Sequence, residues 1–342
     1  MRAALLREYH TPLELVDHPM PEITRPDEVL VKVGGAGVCA TDLHAIEGLM
    51  EPAGVSLPRV LGHENAGWVE ATGDLVTTVA QGDPVILYPP YSCGLCVPCR
   101  RGDDMHCVNH DFTGLSLDGG FADYVLVRER SAIKLPAGLE PSEMAPHADA
   151  GLTAYHAVRR MQHLMRPGTT TVVTGIGGVG HIAVQLVREL GSSRVIAIDT
   201  EDERLALARE LGADETVSGG GGAPAAVRDI TDGRGADVVL DFVGTDSTHA
   251  GSMEMLARAG TYSVIGYGGN LPLTSMQIVV DEKSVVGNLV GSWTDLYELV
   301  QMHAAGRVRL RVETHPLEAI NDVLAKLSDG GILGRAVLVP GG

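Results

Sequence analysis

Lysine is almost missing from this chain of 342 residues: Lys32, Lys134, Lys283 and Lys326 are the only ones, and arginine supplies the other bases. Together the bases number 26 against 44 acids, a formal net charge of -18. A chain this acidic offers no basic face to a phosphate backbone or an anionic bilayer, which excludes nucleic acid and membranes as partners. Long apolar runs are absent too, so no segment is expected to cross a bilayer. The opening Met1-Arg2-Ala3-Ala4-Leu5-Leu6-Arg7-Glu8 carries charge inside any apolar stretch, so no secretory signal is expected and the cytoplasm is the expected compartment. Aromatic residues make up only 4% of the chain, so each one near a site matters to its shape. Cysteine is sparse and odd in number: there are five, of which four lie between positions 93 and 107. That clustering suits a metal site in a reducing compartment better than a disulfide framework.

What is present falls into two textures. Residues 1–150 read as short β-rich segments broken by Gly and Pro, among them Val29–Val33, Ala66–Glu70, Val85–Tyr88 and Ala122–Val127. Residues 151–288 alternate strand and helix: strands at Thr171–Thr174, Val195–Ile198, Val238–Asp241 and Tyr262–Ile265, helices at Gly180–Leu190, Glu203–Leu211, Ala225–Thr231 and Ser247–Ala259. That alternation predicts an α/β unit with a doubly wound parallel sheet. From 289 to 342 the pattern is less regular, and Gly334–Val339 reads as a strand returning to the first domain. There is no internal repeat. The run Gly219–Gly222 reads as a flexible loop rather than a phosphate cradle, because no helix start is expected directly after it.

Gly175-Ile176-Gly177-Gly178-Val179-Gly180 fits G-x-G-x-x-G between a strand and a helix. In that setting the glycines let the backbone turn tightly and approach a pyrophosphate seated on the helix N-terminus. Asp199 closes the next strand, where a carboxylate accepts hydrogen bonds from the adenosine ribose and repels a 2′-phosphate. NAD is therefore expected over NADP. Arg204, the nearest base, either flanks the adenosine or pairs with Glu201 or Glu203 on its helix.

Cys93, Cys96, Cys99 and Cys107 follow C-x2-C-x2-C-x7-C, a loop able to wrap four thiolates around one tetrahedral ion. A ferredoxin cluster shares the first spacings but places its fourth cysteine after three residues, before a proline. Structural zinc is the expectation. A second constellation, Cys39-Ala40-Thr41-Asp42-Leu43-His44 with the distant Gly62-His63-Glu64, offers one thiol, one imidazole and several carboxylates. By spacing alone it is compatible with an open zinc site or with ordinary core residues.

Taken in order, Gly-His-Glu-Asn, the four-cysteine loop, the glycine fingerprint and Asp199 resemble the zinc-containing medium-chain dehydrogenase/reductase superfamily over essentially the whole chain. Within it the sequence is most similar to bacterial NAD-dependent secondary-alcohol dehydrogenases and carbonyl reductases. The resemblance implies a GroES-like catalytic domain and a Rossmann domain, with catalysis between them. It implies two zinc ions per chain, the catalytic one held by Cys39, His63 and a third ligand. Most relatives have cysteine at that third place; here it is Asp149, with His147 as a competitor and Glu64 as a transient ligand. Thr41 is then expected to bond the substrate oxygen, His44 to relay its proton and Asp42 to orient His63. Arg335 is expected to support the zinc-side carboxylate or the cofactor, and Val243 and Ile265 to line the cofactor site. Ala40 replaces a basic residue that reaches the pyrophosphate in relatives.

Tyr88, Phe112, Leu115 and Trp293 fall where relatives line the substrate cleft, which points to a medium-sized secondary or aryl alcohol or its ketone. A polyol or amino-acid-alcohol dehydrogenase is the alternative within enzymes, and a thiol-adduct formaldehyde dehydrogenase a weaker one. A binding protein without activity is the reading from another class. A homo-oligomer is expected, a tetramer before a dimer, with Val285–Val290 as the edge strand for pairing.

Overall fold

Residues 1–341 are described by a computed structural model, in which the chain leaves its first unit and comes back to it. Met1–Leu152 pack with the chain from Ser292 onward, and Thr153–Gly291 form the second unit.

The strand Glu28–Gly37 organises the first unit. It buries every residue except Lys32, so it reads as a continuous apolar run rather than an alternating one. It pairs antiparallel with Glu64–Thr72, Tyr124–Arg128 and Arg335–Val339. The sheet extends through Pro84–Leu87 to Ala132–Lys134 on one side, and to Val312–Pro316 on the other. A three-stranded sheet of Glu14–Asp17, Arg2–Leu6 and Arg59–Val60 lies beside it. Aliphatic side chains of these strands and of the helix Ile320–Ser328 share one core. The returning strand begins at Arg335, which sets that residue at the heart of the first unit.

In the second unit six parallel strands run in the order Glu215–Ser218, Arg194–Asp199, Thr170–Thr174, Ala236–Asp241, Leu256–Val264, Ser284–Gly287. This is the doubly wound order, with its switch between Thr170–Thr174 and Ala236–Asp241, where such sheets bind nucleotides.

Two local expectations are corrected. The helix read at Ser247–Ala259 spans Asp246–Met255, and the following strand begins at Leu256 rather than Tyr262. Leu256 pairs with Ala236 and Thr261 with Val238, the residues between them forming an irregular step in which Ala259 takes φ 55°. Pairing of the flanking Leu256 and Thr261 thus overrides the helical preference of Ala257-Arg258-Ala259. The helix read at Ala225–Thr231 begins at Ala223, directly after the Gly219–Gly222 run, with Pro224 in its first turn.

Candidate active site and metal centres

Cys39 caps the helix Ala40–Ile46, and Asp42 reaches back so that its Oδ2 accepts the Cys39 N–H at 2.9 Å. The other oxygen, Oδ1, stands 3.5 Å from His63 Nδ1. His63 leads into the strand Glu64–Thr72 from a turn at Gly62, whose φ of +95° and contact with the Phe121 ring leave no room for a side chain. Asn65 Nδ2 donates to the Gly62 carbonyl at 2.9 Å and ties that turn. Asp149 follows the short helix Ala145–Ala148, 110 residues from Cys39 in sequence, and brings Oδ2 to 3.9 Å from Cys39 Sγ and 3.5 Å from His63 Nε2.

These positions fit a metal ion. Cys39, His63, Glu64 and Asp149 each present a ligand atom within 4.8 Å of the others. Around tetrahedral zinc, sulfur, nitrogen and oxygen ligands sit about 3.3–3.8 Å apart. His63 is buried, and its Nε2 has no hydrogen-bond partner among the described residues, an orphaned lone pair of the kind a cation satisfies. Burial by itself would lower the His63 pKa, but Asp42, Asp149 and Cys39 outweigh it and hold the imidazole well above its usual value, so the cluster attracts positive charge.

Glu64 points to a different partner. Its carboxylate takes two bonds from Arg335, Nε to Oε2 at 2.9 Å and Nη2 to Oε1 at 2.5 Å, and a third from the Ala150 N–H at 2.9 Å. Of the two roles expected for Arg335, the structure shows the support of this carboxylate; the guanidinium is buried and committed to it. His147, the competitor to Asp149, is turned to His303, Nε2 to Nδ1 at 2.8 Å, and is not part of the ligand cluster. Thr41 and His44 occupy successive turns of the helix Ala40–Ile46 and are half-buried. Burial lowers the His44 pKa, which favours a neutral imidazole able to accept a proton.

The four-cysteine loop also closes. Cys96 Sγ lies 3.4 Å from Cys99 Sγ and 3.9 Å from Cys107 Sγ, and the Cys93 N–H donates to Cys107 Sγ at 3.3 Å. Sulfurs bound to zinc at about 2.3 Å stand about 3.8 Å apart in a tetrahedron. Amides of Leu95 and Cys96 bring the Cys93 pKa down to about 6, whereas burial pushes Cys99 up to about 12. Only a cation would hold all four as thiolates. Arg130 braces the loop, donating from Nη2 to Asp104 at 2.6 Å and from Nε to Ser92 at 2.9 Å.

In the second unit the fingerprint runs from the strand Thr170–Thr174 into the helix Gly180–Leu190. Gly175 takes φ +85°, and a side chain there would collide with Val243 Cγ2. Asp199 accepts the Ile176 N–H at 2.6 Å and the Glu201 N–H at 3.1 Å, so the carboxylate expected at the ribose also ties down the glycine loop. Arg204 brings Nη1 to 3.9 Å from Asp199 Oδ1. Ile265 follows the strand Leu256–Val264, its N–H bonded to the Asp241 carbonyl at 3.0 Å.

Known proteins agree with this geometry. The family of alcohol dehydrogenase GroES-like domains matches residues 25–137, and that of zinc-binding dehydrogenases matches residues 178–305. An NAD-dependent alcohol dehydrogenase of Sulfurisphaera tokodaii is 35% identical over 350 residues, covering 99% of this chain and 100% of the relative. The solved alcohol dehydrogenase of Aeropyrum pernix superposes with a TM-score of 0.97 at 43% identity, over 99% of this chain and 100% of that one. The acetophenone reductase of Geotrichum candidum, solved with NAD, gives a TM-score of 0.88 at 29% identity, over 99% and 96%.

The chain belongs to the zinc-containing medium-chain alcohol dehydrogenase family. Zinc-dependent interconversion of an alcohol and its carbonyl compound is its activity class.

Among the residues expected along the substrate path of this alcohol dehydrogenase, Phe112 sets its ring edge-on to His63, 6.1 Å between centroids. Trp293 is half-buried and stacks on Tyr297, ring centroids 5.6 Å apart. Tyr88 and Leu115 lie in the core, Tyr88 with 1% of its surface exposed. Burial raises the Tyr88 phenol well above its ordinary value, so it stays protonated. Sequence reasoning missed Asn65, Phe121, Arg130, Tyr297 and His303. Only Asn65 had a visible signal, its place in Gly-His-Glu-Asn.

Proposed function

We propose that this alcohol dehydrogenase is an NAD-dependent enzyme with two zinc ions per chain, acting on secondary or aryl alcohols and running as a carbonyl reductase in reverse. The observation that carries the reading is the convergence of Cys39, His63 and Asp149 from three distant segments. One thiolate and one carboxylate neutralise a dication, as the two thiolates of most relatives would, and leave a fourth position for substrate oxygen.

When bound, zinc supplies Lewis acidity that eases loss of the alcohol proton, and NAD takes up the hydride. The protein's own residues do the rest. Cys39, His63 and Asp149 hold the ion, and Asp42 fixes the His63 tautomer from the Nδ1 side. The Thr41 hydroxyl orients the substrate oxygen and takes its hydrogen bond, and His44 carries the released proton outward. Asp199 binds the adenosine ribose and disfavours a 2′-phosphate. The four thiolates of Cys93, Cys96, Cys99 and Cys107 offer no open position and serve structure alone.

Phe112 beside His63 supports an apolar or aryl substrate. A sugar or polyol substrate is the second reading, favoured by a relative 35% identical over 346 residues, the D-arabinose 1-dehydrogenase (NADP(+)) of Saccharolobus solfataricus. A homotetramer is supported by the edge strand Ser284–Gly287 and by the helix Ser275–Asp281, which leaves Met276 and Val279 exposed. Five cysteines free of disulfides support a cytoplasmic setting.

Metal analysis with an NADH absorbance assay on secondary, aryl, primary and polyhydric alcohols, run with NAD and NADP, tests the proposal. Two zinc ions and NAD reduction fastest with secondary or aryl alcohols are expected. Activity confined to polyols or sugars moves the assignment to the second reading, and no turnover of any alcohol overturns both.

A further inference from the structure

The second unit keeps a chain of polar side chains in its core that the proposed chemistry does not use. Asp241, at the carboxyl end of the strand Ala236–Asp241, is fully buried. Its Oδ1 accepts the N–H of Val243 at 2.9 Å and of Gly244 at 3.1 Å. Its Oδ2 accepts the Tyr262 hydroxyl at 2.8 Å, and the same hydroxyl meets His249 Nδ1 at 2.6 Å. Tyr262 and His249 are themselves buried.

The proton order follows from donor chemistry. An ionised carboxylate only accepts, so the Tyr262 O–H donates to Asp241, and His249 Nδ1 must carry the hydrogen it gives to the Tyr262 oxygen. Burial and the neighbouring Asp241 charge raise the Tyr262 phenol far above its ordinary value, which keeps that hydrogen in place. Aliphatic side chains would fill the same volume without desolvating a carboxylate, so packing alone gives no reason for the chain.

What it holds gives the reason. Asp241 clamps the segment Phe242–Gly244, in which Gly244 is left-handed at φ +74°. Val243 projects from that segment, 41% exposed, with Cγ2 against Gly175, the first glycine of the fingerprint. The strands on the Asp199 side of the switch form the adenosine half of a dinucleotide fold; Ala236–Asp241 and its neighbours form the other half. We infer that Asp241, Tyr262 and His249 are positioning residues that fix Val243–Gly244 for the nicotinamide half of the cofactor. The inference rests on the NAD reading above.

NADH fluorescence titration of the full-length protein, with ADP as the competing adenosine probe, tests it. Tyr262→Phe removes one oxygen and His249→Leu one donor. Each should weaken NADH binding about tenfold, the scale of breaking the buried hydrogen-bond chain to Asp241, and leave ADP affinity within about twofold. His249→Gln, which restores an N–H donor, should recover most of the NADH affinity. If NADH and ADP weaken together, or neither moves, the chain is core structure and the inference fails. A wild-type protein that binds no NADH overturns the NAD reading instead.

Discussion

Arg335 and Glu64 lie 271 residues apart in sequence and form a buried, two-bonded ion pair, Nε to Oε2 at 2.9 Å and Nη2 to Oε1 at 2.5 Å. The same Glu64 carboxylate accepts the N–H of Ala150, the residue after Asp149. The returning C-terminal strand therefore reaches Ala150, next to the proposed zinc ligand Asp149, through two hydrogen-bonded steps.

Removing one member of that pair leaves the other charge buried and unpaired. Arg335→Met should destabilise the protein by about 3–5 kcal/mol, and Glu64→Gln added to it should recover part of the loss. Denaturant titration of the single and double variants measures this; a neutral single variant would show that the pair is dispensable.

Asp149 is the one oxygen donor among the three expected ligands. Asp149→Ala should lower zinc content from two ions per chain toward one, with activity lost and the four-thiolate ion retained. Asp149→Cys should keep both ions, because charge and coordination number are preserved. Metal analysis of both variants separates the two sites.

Arg130 lies outside the cysteine motif but bonds Asp104 and Ser92 within its loop. Arg130→Met should speed release of a single zinc ion to a chromogenic chelator by about tenfold, the scale of losing a supporting contact behind metal ligands. The second ion should be released at the wild-type rate.

Glu129 accepts four hydrogen bonds at one oxygen, from the N–H and hydroxyl groups of Thr77 and Thr78, at 2.6–3.2 Å. Burial alone would raise its pKa, but these donors outweigh burial and lower it below the ordinary carboxylate value of 4.5. A carboxyl depressed in the folded state adds stability that is fully present above its unfolded pKa and is lost as pH falls through the folded one. Glu129→Gln should therefore cost about 1–2 kcal/mol at pH 7 and progressively less below about pH 4.5. Urea titrations at pH 7 and pH 3.5 check the sign; an equal cost at both would overturn it.

Much of this was readable along the chain because the signals are local. The fingerprint Gly175–Gly180, the cysteine spacing and the alternation after residue 151 each depend on neighbours within a few turns of chain. Where propensity and pairing disagreed, as at Ala257-Arg258-Ala259, local reading failed, because the pairing of the flanking Leu256 with Ala236 and Thr261 with Val238 is a long-range energy. The Gly219–Gly222 run misled for a related reason: a helix can start directly after flexible residues when Pro224 sets the first turn.

The sequence by itself determined the chemistry on offer: four thiols in one loop, a lone Cys39 beside Asp42, and an acidic strand end at Asp199. Tertiary structure alone turned Asp149 toward Cys39 and His147 onto His303. It gave Arg335 the Glu64 carboxylate as its partner, and it alone set Arg130 against the cysteine loop and His249 behind Tyr262 and Asp241. Such choices are hidden in sequence for one physical reason. A buried charge or lone pair must find its partner in space, and sheet topology, rather than chain spacing, decides which partner is within reach.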